Sequence, residues 1–408
     1  MEQIGQIGHL PPPLRKIEIP LHLSVTRLAT AGPCLLRAVA PSSDLPKAPR
    51  GPQAEFGRVV HALMELAATG RLGINGIPGE PAEALEYLLT GTASRLASND
   101  ETHLYANLRV GFTRREWEKR RFLAITGAQE LVKGGRTGPG ADLSFPRAEP
   151  LSLARILKRN VPVAAEVPFK STALRIRGRL DLVALEPPDT VRITDFKSGS
   201  VMDVDGVPGE QTSLQLRLYW LAVRELAPEK QVTLRVVSRD GASFISTDDE
   251  ANEATSEWLR ARTERLPAGK QFEAEELAVV GPQCRHCDMR PVCPVYRSSV
   301  GALWKRTDDP TLLPLDIAGT VLGCETDGNG YLSVKLTDLA ERVVKIHRLN
   351  PRSSFGSAST PGQVLWFFDL ASIEARMQRT GWRHPRNFHE VAAMATERTA
   401  WTLRLFLD

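Results

Sequence analysis

Two short β-type runs joined by a proline turn constrain this chain most: Leu174–Leu185 and Val191–Phe196, with Glu186-Pro-Pro-Asp189 between them. Side chains alternate along a strand, so Val191, Ile193, Asp195 and Lys197 share one face. That face begins apolar and ends as a carboxylate beside an ammonium. Charges carried toward a core are costly unless they are paired or bind a metal. The bland outcome is a salt-bridged strand end emerging into solvent; the alternative is a reaction centre. Asp181 does not decide between them. Simple alternation places it with Arg175, Arg177 and Arg179, opposite Leu174, Ile176 and Leu180. To meet Asp195 the first strand must twist or bulge, and Gly178 is the residue expected to permit that.

The surrounding pattern sets the fold class. A β run at Ala164–Phe169 precedes the pair; a helix over Ser213–Leu226, strands over Val232–Val237 and Ser243–Ser246, and a helix over Asp249–Arg265 follow. This order predicts an α/β core, a mixed central sheet flanked by helices. Upstream, Phe56, Val59, Val60, Leu63 and Leu66 recur at helical spacing. Helices near Pro81–Ala97 and Arg114–Lys133 form a helical insert at about 70–160, the second stopped by Gly134-Gly135 and a flexible Arg-Thr-Gly-Pro-Gly-Ala-Asp loop. Residues 1–55 read as irregular, with one short helix containing Cys34 between Leu23 and Val39. Beyond Cys293, short strands at Ile317–Val321, Tyr331–Thr337, Arg342–His347, Val364–Phe368 and Trp401–Leu407, with a hairpin turn at Asp327–Gly330, suggest a small barrel of the oligonucleotide-binding type. The expected division is therefore 1–55, 56–299 and 300–408 within 408 residues.

Composition excludes a few classes. The most apolar stretch, Val364–Leu370, is far too short to span a membrane, and the first residues contain no uninterrupted apolar run of the kind a secretory signal needs. No membrane partner and a cytoplasmic location are expected, where five cysteines read as thiolate ligands or core residues rather than disulfides. A net charge of +4 permits an anionic partner without announcing one. There is no G-x-x-x-x-G-K-[ST] loop, so the chain carries no P-loop motor.

Four motifs occur in order: Phe56-Gly-Arg-Val-Val-His61-Ala-Leu-Met-Glu65, Gly178-Arg-Leu-Asp181, Asp195-Phe-Lys197 and Gln215-Leu-Arg-Leu-Tyr219. Together they resemble the PD-(D/E)XK nuclease superfamily in its RecB-type branch, which has a restriction-endonuclease-like core. The resemblance implies a DNA nuclease using Mg²⁺ or Mn²⁺, hard cations that acidify a water and neutralise charge on the phosphate. By the same resemblance Asp181, Asp195 and the Phe196 carbonyl are metal ligands. His61 adds a nitrogen that tilts preference toward Mn²⁺. Lys197 orients the nucleophile or stabilises developing charge; Gln215 and Tyr219, on one helix face, brace Lys197 and contact the DNA strand. Glu166 sits where such proteins often carry an acid. Without the resemblance, His61 reads as a packed or surface histidine, Gln215 and Tyr219 as a core-edge polar pair, and Glu166 as a salt-bridge partner.

Cys284-Arg-His-Cys287 and Cys293 make a C-x2-C-x5-C cluster one ligand short of a four-thiolate site. Cys34 and Cys324 are the remaining thiols; Cys324 lies in an apolar strand pattern and reads as a buried core residue. The Cys34 segment resembles that of iron–sulfur RecB-type nucleases, which implies a [4Fe–4S] cluster on Cys34, Cys284, Cys287 and Cys293, with His286 a bystander. Structural zinc is the rival. Single-stranded DNA ends or flaps are the expected substrate. Arg114–Arg121 is a solvated helix face or a phosphate grip, and Arg376–Phe388, rich in arginine and aromatics, is a single-strand contact or a loop capping the barrel. Members of the family it resembles are commonly fused to, or work beside, helicases or CRISPR adaptation proteins, which implies a stand-alone nuclease or the cutting subunit of a larger machine. A DNA-binding adaptor that keeps the nuclease fold as a scaffold is the reading from a different class.

Overall fold

A computed structural model describes residues 12–40, 52–97, 108–135 and 152–303 (without 198, 239–240, 282 and 285–286), then 315–326, 332–338, 341, 343–349, 361–372, 391–394 and 400–402. The N-terminal segment carries more regular structure than its proline-rich sequence suggests. β1 (Lys16–Glu18), β2 (Leu23–Ser24), α1 (Val25–Ala31) and α2 (Leu35–Val39) occupy it, and Ser24 caps α1 by accepting from the Arg27 amide. Then come α3 (Pro52–Ala68), α4 (Pro81–Ala97), a short 3-10 turn, α5 (Arg114–Gly135) and α6 (Leu153–Arg159). The central elements are β3 (Val163–Ser171), β4 (Ile176–Glu186), β5 (Thr190–Phe196), α7 (Glu210–Leu226), β6 (Gln231–Ser238), β7 (Gly241–Ile245) and α8 (Asp249–Arg265). β8 (Gln271–Glu273), α9 (Ala274–Leu277) and α10 (Pro294–Leu303) complete this part, with β8 pairing back to β1.

The central sheet runs β2-β4-β5-β6-β7, with β3 on the other edge of β4. It is mixed, as expected: β5 and β6 are parallel through the α7 crossover, and β3, β4 and β5 form an antiparallel meander. One face is covered by α1, α7 and α8 through Leu28, Leu216, Leu218, Tyr219 and Leu259, packed on Ile176, Leu180, Val183, Val191 and Ile193. The other is covered by α3, α4 and α5, where Phe56, Leu63, Leu85, Trp117 and Ala128 meet Leu182 and Phe196. Phe56 anchors that layer, with its ring 5.5 Å from Phe112 and 5.2 Å from Trp117.

Strand parity breaks once, in two strands together. On β4, Ile176 and Leu180 face α7, yet so does Val183, while Leu182 faces α3. On β3, Val167 and Phe169 face α7, and so does Ala164, while Ala165 turns toward α3. The break falls at Glu166, whose φ is +51°, and at Asp181 across from it; register pairs continue on either side of this unpaired step. A left-handed non-glycine residue is uncommon and locates the irregularity. Gly178 has a different role from the one expected. A Cβ there would stand 2.6 Å from the Phe169 ring and 3.2 Å from Tyr219, so the glycine admits close packing and the parity change lies elsewhere.

In the C-terminal part β9 (Leu315–Thr326), β10 (Leu332–Asp338), β11 (Val343–Leu349), β12 (Val364–Ser372) and β13 (Val391–Met394) pair in a closed ring, and β14 (Ala400–Thr402) adds to β12. The ring is antiparallel except for β11 with β13. β13 was absent from the strand pattern read in the sequence. Ile317, Val321, Val334, Leu336, Val344, Ile346, Leu365 and Phe367 fill it. Cys324 is exposed rather than buried, because β9 runs beyond its last core residue, Val321. Arg290 and Tyr296 reach into the start of β9: Arg290 Nη1 lies 3.0 Å from Asp316 Oδ2, and Tyr296 donates to the same oxygen at 2.9 Å, all buried. Residues 376–388 and the Asp327–Gly330 turn lie outside the described residues. Among the described residues, no helix is long and apolar enough to cross a membrane.

Candidate active site

Strand β4 has β3 along one edge and shares the other between β2, at Ile176 and Arg177, and β5, from Leu182 onward. Among the described residues, 178–181 therefore have no strand neighbour on that second edge. The site lies at this fork, with α7 on one side of the sheet and α3 on the other.

The α7 side holds Asp195 and Lys197, brought to one face by strand alternation as expected. Lys197 Nζ donates to Asp195 Oδ1 at 3.1 Å and lies 2.8 Å from Oδ2. Gln215 completes the group: its Oε1 accepts from Lys197 at 3.1 Å, and its Nε2 donates to Asp195 Oδ1 at 3.1 Å and to the Tyr219 hydroxyl at 2.9 Å. Asp195 is 1% exposed, and its Oδ2 has the Lys197 ammonium as its ion-pair partner. Burial pushes the Asp195 carboxyl up against the opposing pull of Lys197. Burial works against the Lys197 ammonium, but the Asp195 charge outweighs it and holds the amine protonated. Burial first, and then the nearby carboxylate charges, raise the Tyr219 phenol. The two residues one turn apart on α7 thus meet each other and the strand end.

The α3 side brings the remaining acids together. Asp181 Oδ2 accepts from the Phe196 amide at 2.7 Å and lies 3.4 Å from His61 Nδ1. One ligand atom from each of His61, Glu166 and Asp181 lies within 4.8 Å of the others. The matched break in β3 and β4 is what turns Glu166 and Asp181 to this place. Burial opposes the His61 imidazolium, but the hydrogen bond and charge of Asp181 raise its pKa. Burial and then Asp181 push the Glu166 carboxyl up, against an ion pair with Arg179 at 3.2 Å. Asp181 and Asp195 each act electrostatically on His61, so the two halves form one field. The crowded carboxylates and imidazole of Glu166, Asp181 and His61 are a donor set that suits a hard or borderline divalent cation. Phe196 contacts the group through its amide, and its ring packs into the α3 layer.

Arg120 belongs to none of the four sequence motifs, yet it reaches the site. Within the Arg114–Arg121 run, Arg121 pairs with Glu86 and Glu118 on the outer surface. Arg120 turns inward, stacks 4.7 Å above Phe112 and lines a cavity with Phe196, Lys197 and Ser238. Its signal was the helical phase of its apolar neighbours, Trp117 and Ala124.

A second cavity, between α2 and the segment after α9, is lined by Cys34, Cys284, Cys287 and Cys293 together with Arg37, Met289 and Tyr296. All four thiols are buried and free. Burial pushes Cys287 up to about 12 and Cys293 to about 11, while the Met289 amide at the first and the Tyr296 amide at the second pull the other way. Among the described residues, no three of these sulfurs lie mutually within 4.8 Å.

The profile of the PD-(D/E)XK nuclease superfamily matches residues 22–294, two thirds of the chain. No curated protein matches it.

Proposed function

Because the chain belongs to the PD-(D/E)XK nuclease superfamily, we propose that it is a RecB-type, divalent-metal-dependent nuclease that hydrolyses DNA phosphodiesters at single-stranded ends or flaps. The observation that carries this reading is the convergence of His61, Glu166 and Asp181 donor atoms beside the Asp195–Lys197–Gln215 cluster. His61, Asp181, Asp195 and the Phe196 carbonyl would hold Mg²⁺ or Mn²⁺, with Glu166 at the edge of the set. Bound there, such an ion acidifies water and offsets charge on the phosphate.

The chain's own residues do the positioning. Asp195 and Gln215 fix the Lys197 ammonium, which is 28% exposed and so keeps a donor for the phosphate or the attacking oxygen. Tyr219 holds the Gln215 amide in the orientation that offers its oxygen to Lys197. His61 holds its Asp181 partner from the α3 side.

Cys34, Cys284, Cys287 and Cys293 would hold a [4Fe–4S] cluster. The four thiols line one cavity, and structural zinc on the same thiolates is the rival occupant. The cluster joins residues about 250 positions apart and acts as a structural tie. The closed five-stranded ring supports a further oligonucleotide-binding surface in the C-terminal part.

The test is cleavage of end-labelled single- and double-stranded DNA with Mn²⁺. Asp195→Ala and Lys197→Ala should each lower kcat by ~10²-fold or more, the scale of losing a transition-state donor. Cutting at the parental rate by both variants overturns the assignment. Anaerobically purified protein should be brown and carry about four irons and four sulfides; a colourless sample with one zinc per chain replaces the cluster with zinc.

A further inference from the structure

The fork leaves one stretch of sheet open. Glu166, Pro168 and Lys170 on β3 face the same side as Arg177, Arg179 and Asp181 on β4, because Val167, Phe169, Ile176 and Leu180 all point to α7. Beyond the metal-site acids, Lys170, Arg177 and Arg179 on this surface are exposed. Register places Lys170 directly opposite Arg177 and Pro168 opposite Arg179. Arg179 bridges to Glu166, so the row runs without interruption into the carboxylates. Among the described residues, neither Lys170 nor Arg177 has an acidic partner. His22, buried beside them, feels the same field: burial first, then Lys170, Arg177 and Arg175, lower its pKa.

Like charges placed opposite one another on a sheet are destabilising. The Lys170–Arg177 pair is therefore a cost to folding that an anion would relieve. Same-face neighbours on a strand stand about 6.6 Å apart, close to the interval between successive phosphates of an extended strand. The row is two strands wide and leads to one reaction centre, which fits one nucleic-acid backbone rather than the two of a duplex.

We propose that Lys170, Arg177 and Arg179 form a phosphate track along the open β3–β4 face, holding a single extended strand on its way to the scissile bond. This rests on the nuclease reading for its endpoint, although the track itself is a binding claim. Arg177 and Arg179, same-face neighbours on β4, contact successive phosphates, and Lys170, across from Arg177, reaches the phosphate beyond. Arg179 divides its charge between Glu166 and the phosphate next to the reacting one.

Binding of a labelled single-stranded oligonucleotide is measured as a function of salt in an Asp195→Ala background, and KM and kcat are measured in the parental background. Lys170→Gln with Arg177→Gln should weaken binding ~10-fold and flatten the log–log salt slope by about 1.4, close to 0.7 per lost contact. In cleavage the loss should appear in KM. Arg260→Gln, an exposed arginine on α8, should leave the salt slope unchanged. An unchanged slope and KM in the double variant, with cleavage by the parent intact, overturns the track. So does tighter binding of a duplex than of the single strand. A parent that cleaves nothing, yet loses the oligonucleotide in the double variant, overturns the nuclease reading and leaves the track standing.

Discussion

Gln215 is the side chain on which the α7 half of the site turns. It is 5% exposed and has every polar group committed: oxygen to Lys197, amide hydrogens to Asp195 and Tyr219. Replacing it with leucine leaves a buried carboxylate and ammonium without their third partner, a costly loss in a dry site. Gln215→Leu should therefore lower kcat by ~10-fold or more. Tyr219→Phe removes the outer acceptor and its contact with Thr26, should cost about 1 kcal/mol of stability, and should lower kcat less. Steady-state kinetics and urea unfolding check the ranking; an equal or larger kcat loss for Tyr219→Phe would show that the phenol acts on substrate itself. Gly178 makes a prediction of packing alone. Gly178→Ala drives a methyl into the Phe169 ring and should destabilise by about 1–3 kcal/mol. Phe169→Leu should return part of that in a double-mutant cycle; strict additivity would mean the glycine serves some other purpose.

At the scale of elements, the informative feature is the step shared by β3 and β4. Asp195, Lys197, Gln215 and Tyr219 were legible because each pair sits within one regular element, where period fixes the face. Asp181 was not, because its face depends on a break matched across two strands, at Glu166 and Asp181, with no glycine or proline at either position. Sequence periodicity sees only one strand at a time. β1 and β2 were hidden for a related reason: two or three residues show no period, and both exist through pairing with β8 and β4 far along the chain. The long helices α4, α5 and α8 were plain because their apolar stripes repeat locally. Since the step rests on a left-handed Glu166, asparagine, which tolerates that region, separates its backbone role from its carboxylate. Glu166→Asn should change unfolding free energy by no more than about 1 kcal/mol, since it gives up the ion pair of a half-buried side chain but meets no backbone strain, yet weaken Mn²⁺ binding in calorimetric titration. Unaltered Mn²⁺ affinity would remove Glu166 from the ligand set and leave it as the Arg179 partner.

Across the whole molecule, the thiol cavity is where distant parts of the chain are joined. Even without a bound group, the N-terminal segment is tied to residues 270–293: the Leu14 amide donates to the Val292 carbonyl at 2.8 Å, the Ile19 amide to Lys270 at 2.9 Å, and Arg37 to Gln283 at 3.1 Å. The cluster would close the same junction covalently, so its four ligands should behave as one unit. Cys34→Ser and Cys293→Ser should lower Tm by similar amounts and expose β1 and β8 to hydrogen exchange, whereas Cys324→Ser should leave Tm alone. Unequal Tm losses would mean the thiols act separately. From this junction the Arg290–Asp316–Tyr296 group carries the connection into β9. A buried ion pair is weak support for stability in itself, but losing one partner strands the other charge, at a cost of about 3–5 kcal/mol. Asp316→Asn should therefore destabilise by that order in urea unfolding and speed hydrogen exchange in β9 and β12. Replacing both charges, Arg290→Met with Asp316→Leu, should recover most of the stability, because apolar groups of similar size remove the stranded charge. If the double replacement is no better than Asp316→Asn, the group is needed for its hydrogen-bond geometry, and the β ring depends on Arg290 and Tyr296 for its placement against the cysteine segment.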